Sequence, residues 1–515
     1  MVNIPLKIDG VDILHDTEIN ALINKVQNGT DFDLNIARIV YPTGFTGTRI
    51  QNAINSLTAG RGGRIQLSAG TYTTATAIGL ISNCEIIGCG RKSTLLQASA
   101  SMDTLLNANN RSSISVRNME LDGNNLTNKV ISITASSGVA TDDIRIDGCR
   151  IRRNLPTSAA WGIIFWDTQE TNKLLTDIWF TNNIVESMIS TTIDQIAWAH
   201  CQRIRIIGNE FRNIGRVVIL DRCRDGTIVG NTFGTFLSYS PLVIGCDRAT
   251  VNGNIINTSV PVRIDGAHDC SFGGNTLNGS SIIVGSAVGT ASSNITVCGN
   301  IVRADGYAID VNYGARVNVS GNTVIGTGDH HVNIQANSNN AIVVGNNITT
   351  LSGLPAYAIL VAKNDTIVYA NMVRDGKSVP TMNGIRLDSV KRCIVSGNIV
   401  AGTVNGIIEA GTAATNIITS NQTPLGITLT GGFTTKVRDN IGFVSHNGGD
   451  SSISNGTTIP HGLGLTPSRV ILVSQSALAR IMSVTAKGAT TFTVGVLSTT
   501  GTAVSNTRAY WYAEV

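Results

Sequence analysis

Ile207-Gly208-Asn209-Glu210-Phe211 returns as Val229-Gly230-Asn231-Thr232-Phe233 and again as Asn252-Gly253-Asn254-Ile255-Ile256. Further copies read Gly274-Asn275-Thr276-Leu277, Gly299-Asn300-Ile301-Val302, Gly321-Asn322-Thr323-Val324, Gly345-Asn346-Asn347-Ile348 and Gly397-Asn398-Ile399-Val400, with a weaker one at Ala370-Asn371-Met372-Val373. Successive asparagines lie 21 to 27 residues apart. A period of that length, with one supersecondary unit per period, marks a solenoid. Each copy follows an apolar alternation such as Ile204-Arg205-Ile206 or Val317-Asn318-Val319, which is strand patterning. Second strands such as Pro261-Val262-Arg263-Ile264-Asp265 lie between copies, and no helical spacing of leucines does. Two or three short strands and their turns fill one period. The expected fold is all-β: a parallel β-helix of ~12–14 coils, ~60 Å long at ~4.8 Å per strand. The asparagines are expected to stack and bond amide to amide along its axis.

The chain has 515 residues, of which 14% are charged and 42% apolar, with 54 glycines. A solenoid grows by repetition, so this length needs no second large core. A net charge of +4 without a long basic run argues against nucleic acid as a partner. No run of 18 apolar residues occurs and Met1-Val2-Asn3-Ile4-Pro5-Leu6-Lys7 is no leader, so neither a membrane span nor a signal peptide is expected. The nine cysteines suit small buried side chains better than disulfides, and folding in a reducing cytoplasm follows. No cofactor and no metal site is expected; Asp329-His330-His331 lacks a third ligand.

Five segments are expected. Residues 1–35 hold an attachment or trimer-starting helix from Asp16 to Val26, and 36–125 form the entry to the solenoid. Residues 126–440 are the β-helix proper, 441–455 read as a linker through Asn447-Gly448-Gly449-Asp450, and 456–515 form a small β-sandwich-like domain. In the entry segment Thr48 to Asn55 is a helix with Ile50, Ala53 and Ile54 on one face, suited to covering the open end of the first coil.

The entry segment, with Gly62-Gly63-Arg64-Ile65-Gln66-Leu67-Ser68-Ala69-Gly70-Thr71-Tyr72 and then Ile86-Ile87-Gly88-Cys89-Gly90, resembles that of the pectate-lyase-like superfamily. The resemblance covers about residues 40–440 and implies a right-handed parallel β-helix with a capping helix. It leaves the chemistry open, because hydrolases, lyases, epimerases and adhesins share this fold. The end of the chain, His461-Gly462-Leu463-Gly464-Leu465-Thr466-Pro467 through Tyr510-Trp511-Tyr512-Ala513-Glu514-Val515, resembles the C-terminal β-domain of bacteriophage tail fibres and tailspikes. That resemblance implies a homotrimer in a virion tail, attached to other tail or baseplate proteins.

Trp161, Trp166, Trp179 and Trp198 crowd into 38 residues. Flat indole rings match the C–H faces of sugars, so Trp161, Trp166 and Trp198 are candidate platforms for a bacterial surface polysaccharide. Asp167, Glu170 and Asp194 lie among them. Aligning the apolar pairs Val218/Leu220, Leu242/Ile244 and Val262/Ile264 puts Asp221 and Asp265 in one column, two coils or ~9.5 Å apart. Glycoside hydrolysis needs two carboxyls, one to protonate the leaving oxygen and one to activate water or attack carbon. Asp167, Glu170, Asp194, Asp221 and Asp265 are the candidate acids and bases, with Glu210, Asp247 and Arg263 beside the substrate. A polysaccharide lyase, with Arg263 as base, and a non-catalytic receptor-binding adhesin are the alternatives.

Overall fold

The computed structural model describes the strands Lys7–Ile8 and Val11–Asp12, and residues 39–514 apart from 58–61, 137, 156–160, 171, 189–195, 216–217, 237–239, 286–290, 305–306, 327–331, 352–355, 430–433, 443–445, 461–462, 464–465, 475–479, 489–490, 499 and 504–506. The expected helix at 16–26, His461 and the Asp329-His330-His331 stretch lie outside the described residues.

From Ile39 to Arg438 the chain winds as a right-handed parallel β-solenoid with three faces. One turn illustrates all. Gln202–Ile207 lies on the first face, Glu210–Ile214 on the second, and Val218–Val229 runs along the third before bending back onto the first. The second face is a stack of fourteen parallel strands, so the rod rises ~60 Å. The sharp corner between first and second faces is the repeated Gly-Asn step.

That corner explains why the asparagines recur. Asn183, Asn209, Asn231, Asn254, Asn275, Asn300, Asn322, Asn346, Asn371, Asn398, Asn421 and Asn440 are all buried and form one continuous ladder. At Asn300 the amide Nδ2 donates to Asn322 Oδ1 at 2.9 Å and to the Phe272 carbonyl at 3.0 Å. Asn300 Oδ1 in turn accepts the backbone N–H and the Nδ2 of Asn275, at 2.9 and 3.0 Å. Every polar atom of the side chain is therefore used, which is the condition for burying an amide at no net cost. The left-handed backbone belongs to the residue before the asparagine, Gly208 at φ 66° or Gly299 at φ 64°, and not to the ladder residue itself. Asn182, Ala370, Ser420 and Asp439 hold the same conformation without glycine.

The interior is filled by inward Ile, Val and Leu, with an aromatic column in the wider early coils. Phe165 stacks on Trp198 at 5.4 Å and 3°, and Phe211 on Phe233 at 4.9 Å. All nine cysteines are free and seven are buried. Burial pushes the Cys149 thiol up to about 12 and the Cys270 thiol to about 11, so these sulfurs act as small apolar side chains.

The helix Gly47–Ser56 covers the open end as expected, with Thr46 as its N-cap and Gly47, Ile50, Ala53 and Ile54 buried. Gln51 extends the exposed sheet edge by accepting the Gly79 N–H at 2.8 Å. At the other end the linker expected at 441–455 is instead the strand His446–Ile453, paired antiparallel with Thr507–Glu514. Its glycines serve packing: a Cβ on Gly449 would stand 3.0 Å from the Trp511 ring. Two three-stranded antiparallel sheets with a core of their own, including Phe492 and Trp511, make up this unit. Asn300→Ala would leave two buried donors of Asn275 unmet and is expected to cost about 3 kcal/mol in chemical unfolding, against about 0.5 kcal/mol or less for the exposed Asn257→Ala.

Candidate functional site

Of the expected site residues, Trp166, Asp221, Arg263 and Asp265 lie outward on the third face, where register decides which side chains reach the surface. Trp166 pairs with Ala199, Ala199 with Asp221, and Asp221 with Gly245. Val243 and Ile244 pair with Arg263 and Ile264, which brings Asp265 next to Gly245. Trp166, Ala199, Asp221, Gly245 and Asp265 thus form one outward column. Small residues separate the large and acidic ones. Asp221 and Asp265 face each other across Gly245, two strand spacings or ~9.5 Å apart along the backbone. Gly245, the residue in register between them, contributes no side chain.

The two acids sit in different surroundings. The Asp221 side chain is nearly half exposed and has Arg222 at 3.9 Å. The Asp265 side chain is only one-fifth exposed. Burial raises its carboxyl above the usual range despite Arg263 at 2.9 Å, whose charge pulls the other way. Further along this face Asp310 is almost wholly buried, and burial pushes it up to about 6. Asn312 donates to its Oδ2 at 3.1 Å. Asp310 is an acid that the sequence reading missed, although an acid midway between Ile309 and Val311 has to point outward and was visible as such.

At the lower end of the column Trp166 is 38% exposed and meets the half-buried Trp161 with ring centres 6.1 Å apart. Glu170 lies at the adjacent corner, in an ion pair with Arg222 and 3.6 Å from His200 Nε2. Lys173 donates to the Arg222 carbonyl at 2.5 Å.

Several expected site residues are placed elsewhere. Trp198 is fully buried against Phe165 and offers no platform. Its register partners Phe165 and Leu220 are inward positions, so strand alternation forces it inside. Asp167 is also fully buried: its carboxylate accepts the N–H groups of Gln169 at 2.8 Å, Leu175 at 3.1 Å and Leu174. It holds a loop closed and has no solvent access. Glu210 is on the second face, paired with Arg212, away from the column. Asp247 lies two residues beyond Gly245 on the same strand, in register with Arg224 past the irregularity at Asp221–Cys223, and so stands beside the column and not in it. Asp194 lies outside the described residues. Among the described residues no group of three His, Cys, Asp or Glu is placed to hold a metal, and no helix is long and apolar enough to cross a membrane.

Residues 194–348 match the family described as the right-handed beta helix region. No curated relative matches the chain. Among solved structures the chain is similar to the tailspike of Escherichia coli bacteriophage HK620 in complex with a pentasaccharide, at 14% identity over 91% of this chain and 89% of that one, with a TM-score of 0.47. It is also similar to the tailspike of Pseudomonas phage phi297, at 11% identity over 91% of each chain and a TM-score of 0.39. The A-module of a mannuronan C-5 epimerase from Azotobacter vinelandii matches at 14% identity over 77% of this chain and 94% of that module, with a TM-score of 0.30.

Trp198→Ala is expected to lower unfolding free energy by about 3–5 kcal/mol, whereas Trp166→Ala stays within about 0.5 kcal/mol. Thermal or denaturant unfolding of the two variants separates the core indole from the surface one.

Proposed function

We propose that the chain is a tailspike-type depolymerase that binds a bacterial surface polysaccharide along its third face and hydrolyses internal glycosidic bonds. The single observation that carries this reading is the outward column in which Asp221 and Asp265 flank Gly245. Inverting glycosidases hold their carboxyls ~6.5–9.5 Å apart, leaving room for a water opposite the leaving group. Backbones ~9.5 Å apart with a glycine in register between them suit that arrangement. Asp265 is the acid, because a carboxyl raised by burial keeps its proton for the leaving oxygen. Asp221, open to solvent, is the base that takes a proton from the attacking water. Trp166 and Trp161 supply apolar rings for sugars two coils away, and Arg263 beside Asp265 and Arg222 beside Asp221 supply donors for ring hydroxyls.

In this reading the protein works as a homotrimer on a virion tail. Ile342, Ile367 and Ile394 are register neighbours on the first face, each more than a third exposed, and Met372 and Ile399 stand exposed across the asparagine corner. The small C-terminal unit exposes Ile471, Val473, Tyr510 and Tyr512 on one sheet face. Contiguous apolar surface of this kind is what a second copy covers. Sedimentation should give three chains per particle, and Ile367→Glu with Ile394→Glu should give a lighter species; a wild-type monomer would overturn this part.

Catalysis is tested by incubating the protein with capsular, O-antigen or exopolysaccharide preparations and counting new reducing ends. Asp265→Asn and Asp221→Asn are each expected to lower that rate by about a hundredfold or more while binding persists. The general acid must be protonated, so the rate falls as pH rises through the elevated pKa of Asp265. Binding without new ends would mark a non-catalytic adhesin, and an unsaturated product absorbing in the ultraviolet would mark a lyase.

A further inference from the structure

The first face carries a second arrangement that the proposed catalysis does not use. Trp179 pairs in register with Arg145 on one neighbouring strand and Arg205 on the other. Both guanidinium groups lie over its ring, Arg205 at 4.2 Å and Arg145 at 5.7 Å. A cleft of about 560 Å³, lined among others by Glu85, Arg117, Asp147, Trp179 and Thr181, opens on one side. A smaller one of about 310 Å³, which Arg205 lines with Thr227 and Thr250, continues along the same face.

Charge balance singles out one residue here. Arg145 pairs with Asp143 at 2.8 Å and Arg203 with Asp177 at 2.5 Å. Arg248 pairs with Asp225 at 2.7 Å, and Arg117 stands 3.5 Å from both Glu85 and Asp147. Arg205 alone of this group has no carboxylate within ion-pair distance among the described residues; Asp177, which feels its charge, is held by Arg203, and Asp225, which lines the same cleft, is held by Arg248. Stacking on Trp179 fixes its plane without neutralising it. A guanidinium held flat presents its fork of donors to a planar anion with little ordering left to lose.

We propose that Arg205 and Trp179 form a second saccharide-binding site, specific for a carboxylate-bearing sugar. The Arg205 fork pairs bidentately with the sugar carboxylate. Ser115, Thr181, Thr227 and Thr250 line the two clefts and offer hydroxyls to the flanking rings. The site anchors an acidic polymer on the first face while the third face acts on another part of it. This rests on reading the chain as a polysaccharide-binding protein, and it adds that the polymer carries uronic-acid-type residues.

The test is calorimetric titration of the intact protein with oligogalacturonate, with a neutral glucose oligomer of equal length, and with inorganic phosphate. The acidic oligomer should bind more tightly than the neutral one. Arg205→Gln should weaken it about tenfold or more and flatten the salt dependence, with Arg205→Lys in between and the thermal midpoint unchanged. Asp221→Asn with Asp265→Asn should leave this affinity as it is. Equal affinity of wild type and Arg205→Gln for the acidic oligomer, or phosphate competing as well as the oligomer does, overturns the second site but leaves the third-face reading standing. Failure of the wild type to bind any surface polysaccharide or either oligomer overturns both.

Discussion

Burying an amide side chain in an apolar interior is tolerable only if each of its polar atoms finds a partner, and twelve stacked asparagines meet that condition through each other and through the backbone of adjoining coils. Asn254 spends its amide on Asn275 Oδ1 and the Ile228 carbonyl, and its Oδ1 on two donors of Asn231. Shifting one coil by a single residue would break both sets at once and turn every side chain of that strand to the wrong face. The ladder thereby fixes the register of all three faces. Outward residues many positions apart in sequence become neighbours at one strand spacing, which is how Asp221, Gly245 and Asp265 come to lie in line.

The same constraint divides labour among the faces. The first-to-second corner is spent on the ladder. The third face, free of it, carries the exposed Trp166 and the column of acids, and its bend onto the first face takes the irregularity at Asp221–Cys223. The charged early part of the first face, with its alternating Arg and carboxylate rungs, gives way to the apolar run of Ile342, Ile367 and Ile394 toward the C-terminal end. One repeating backbone thus presents three chemically distinct surfaces, set only by which residues occupy the outward positions.

Much of the fold was legible from sequence because the period is short and the Gly-Asn step marks eight of the twelve ladder corners. The column of Asp221 and Asp265 was legible too, since apolar pairs such as Val218/Leu220 align without ambiguity. Trp198 was misplaced for lack of one more comparison: Ile196/Trp198 is such a pair, and aligned with Val218/Leu220 it points inward. Asp167 follows an outward Trp166 and so turns in, where the N–H groups of Gln169, Leu174 and Leu175 bind it. Composition made 447–452 read as a linker, yet glycine there answers a bulky Trp511 across the strand. The Trp179–Arg205 contact is visible once Ile178-Trp179-Phe180 is laid over Ile204-Arg205-Ile206. The raised pKa of Asp265 was out of reach, because burial depends on side chains far away in sequence.

The account stands most directly on where a sugar chain lies on the rod. A crystal structure of the Asp265→Asn protein soaked with oligosaccharides from bacterial surface polysaccharides gives that directly. The account places a glycosidic oxygen over Gly245, within hydrogen-bond reach of residue 265, with a water held by Asp221 on the opposite side of the sugar ring. A chain bound with no saccharide atom near Gly245 would contradict it.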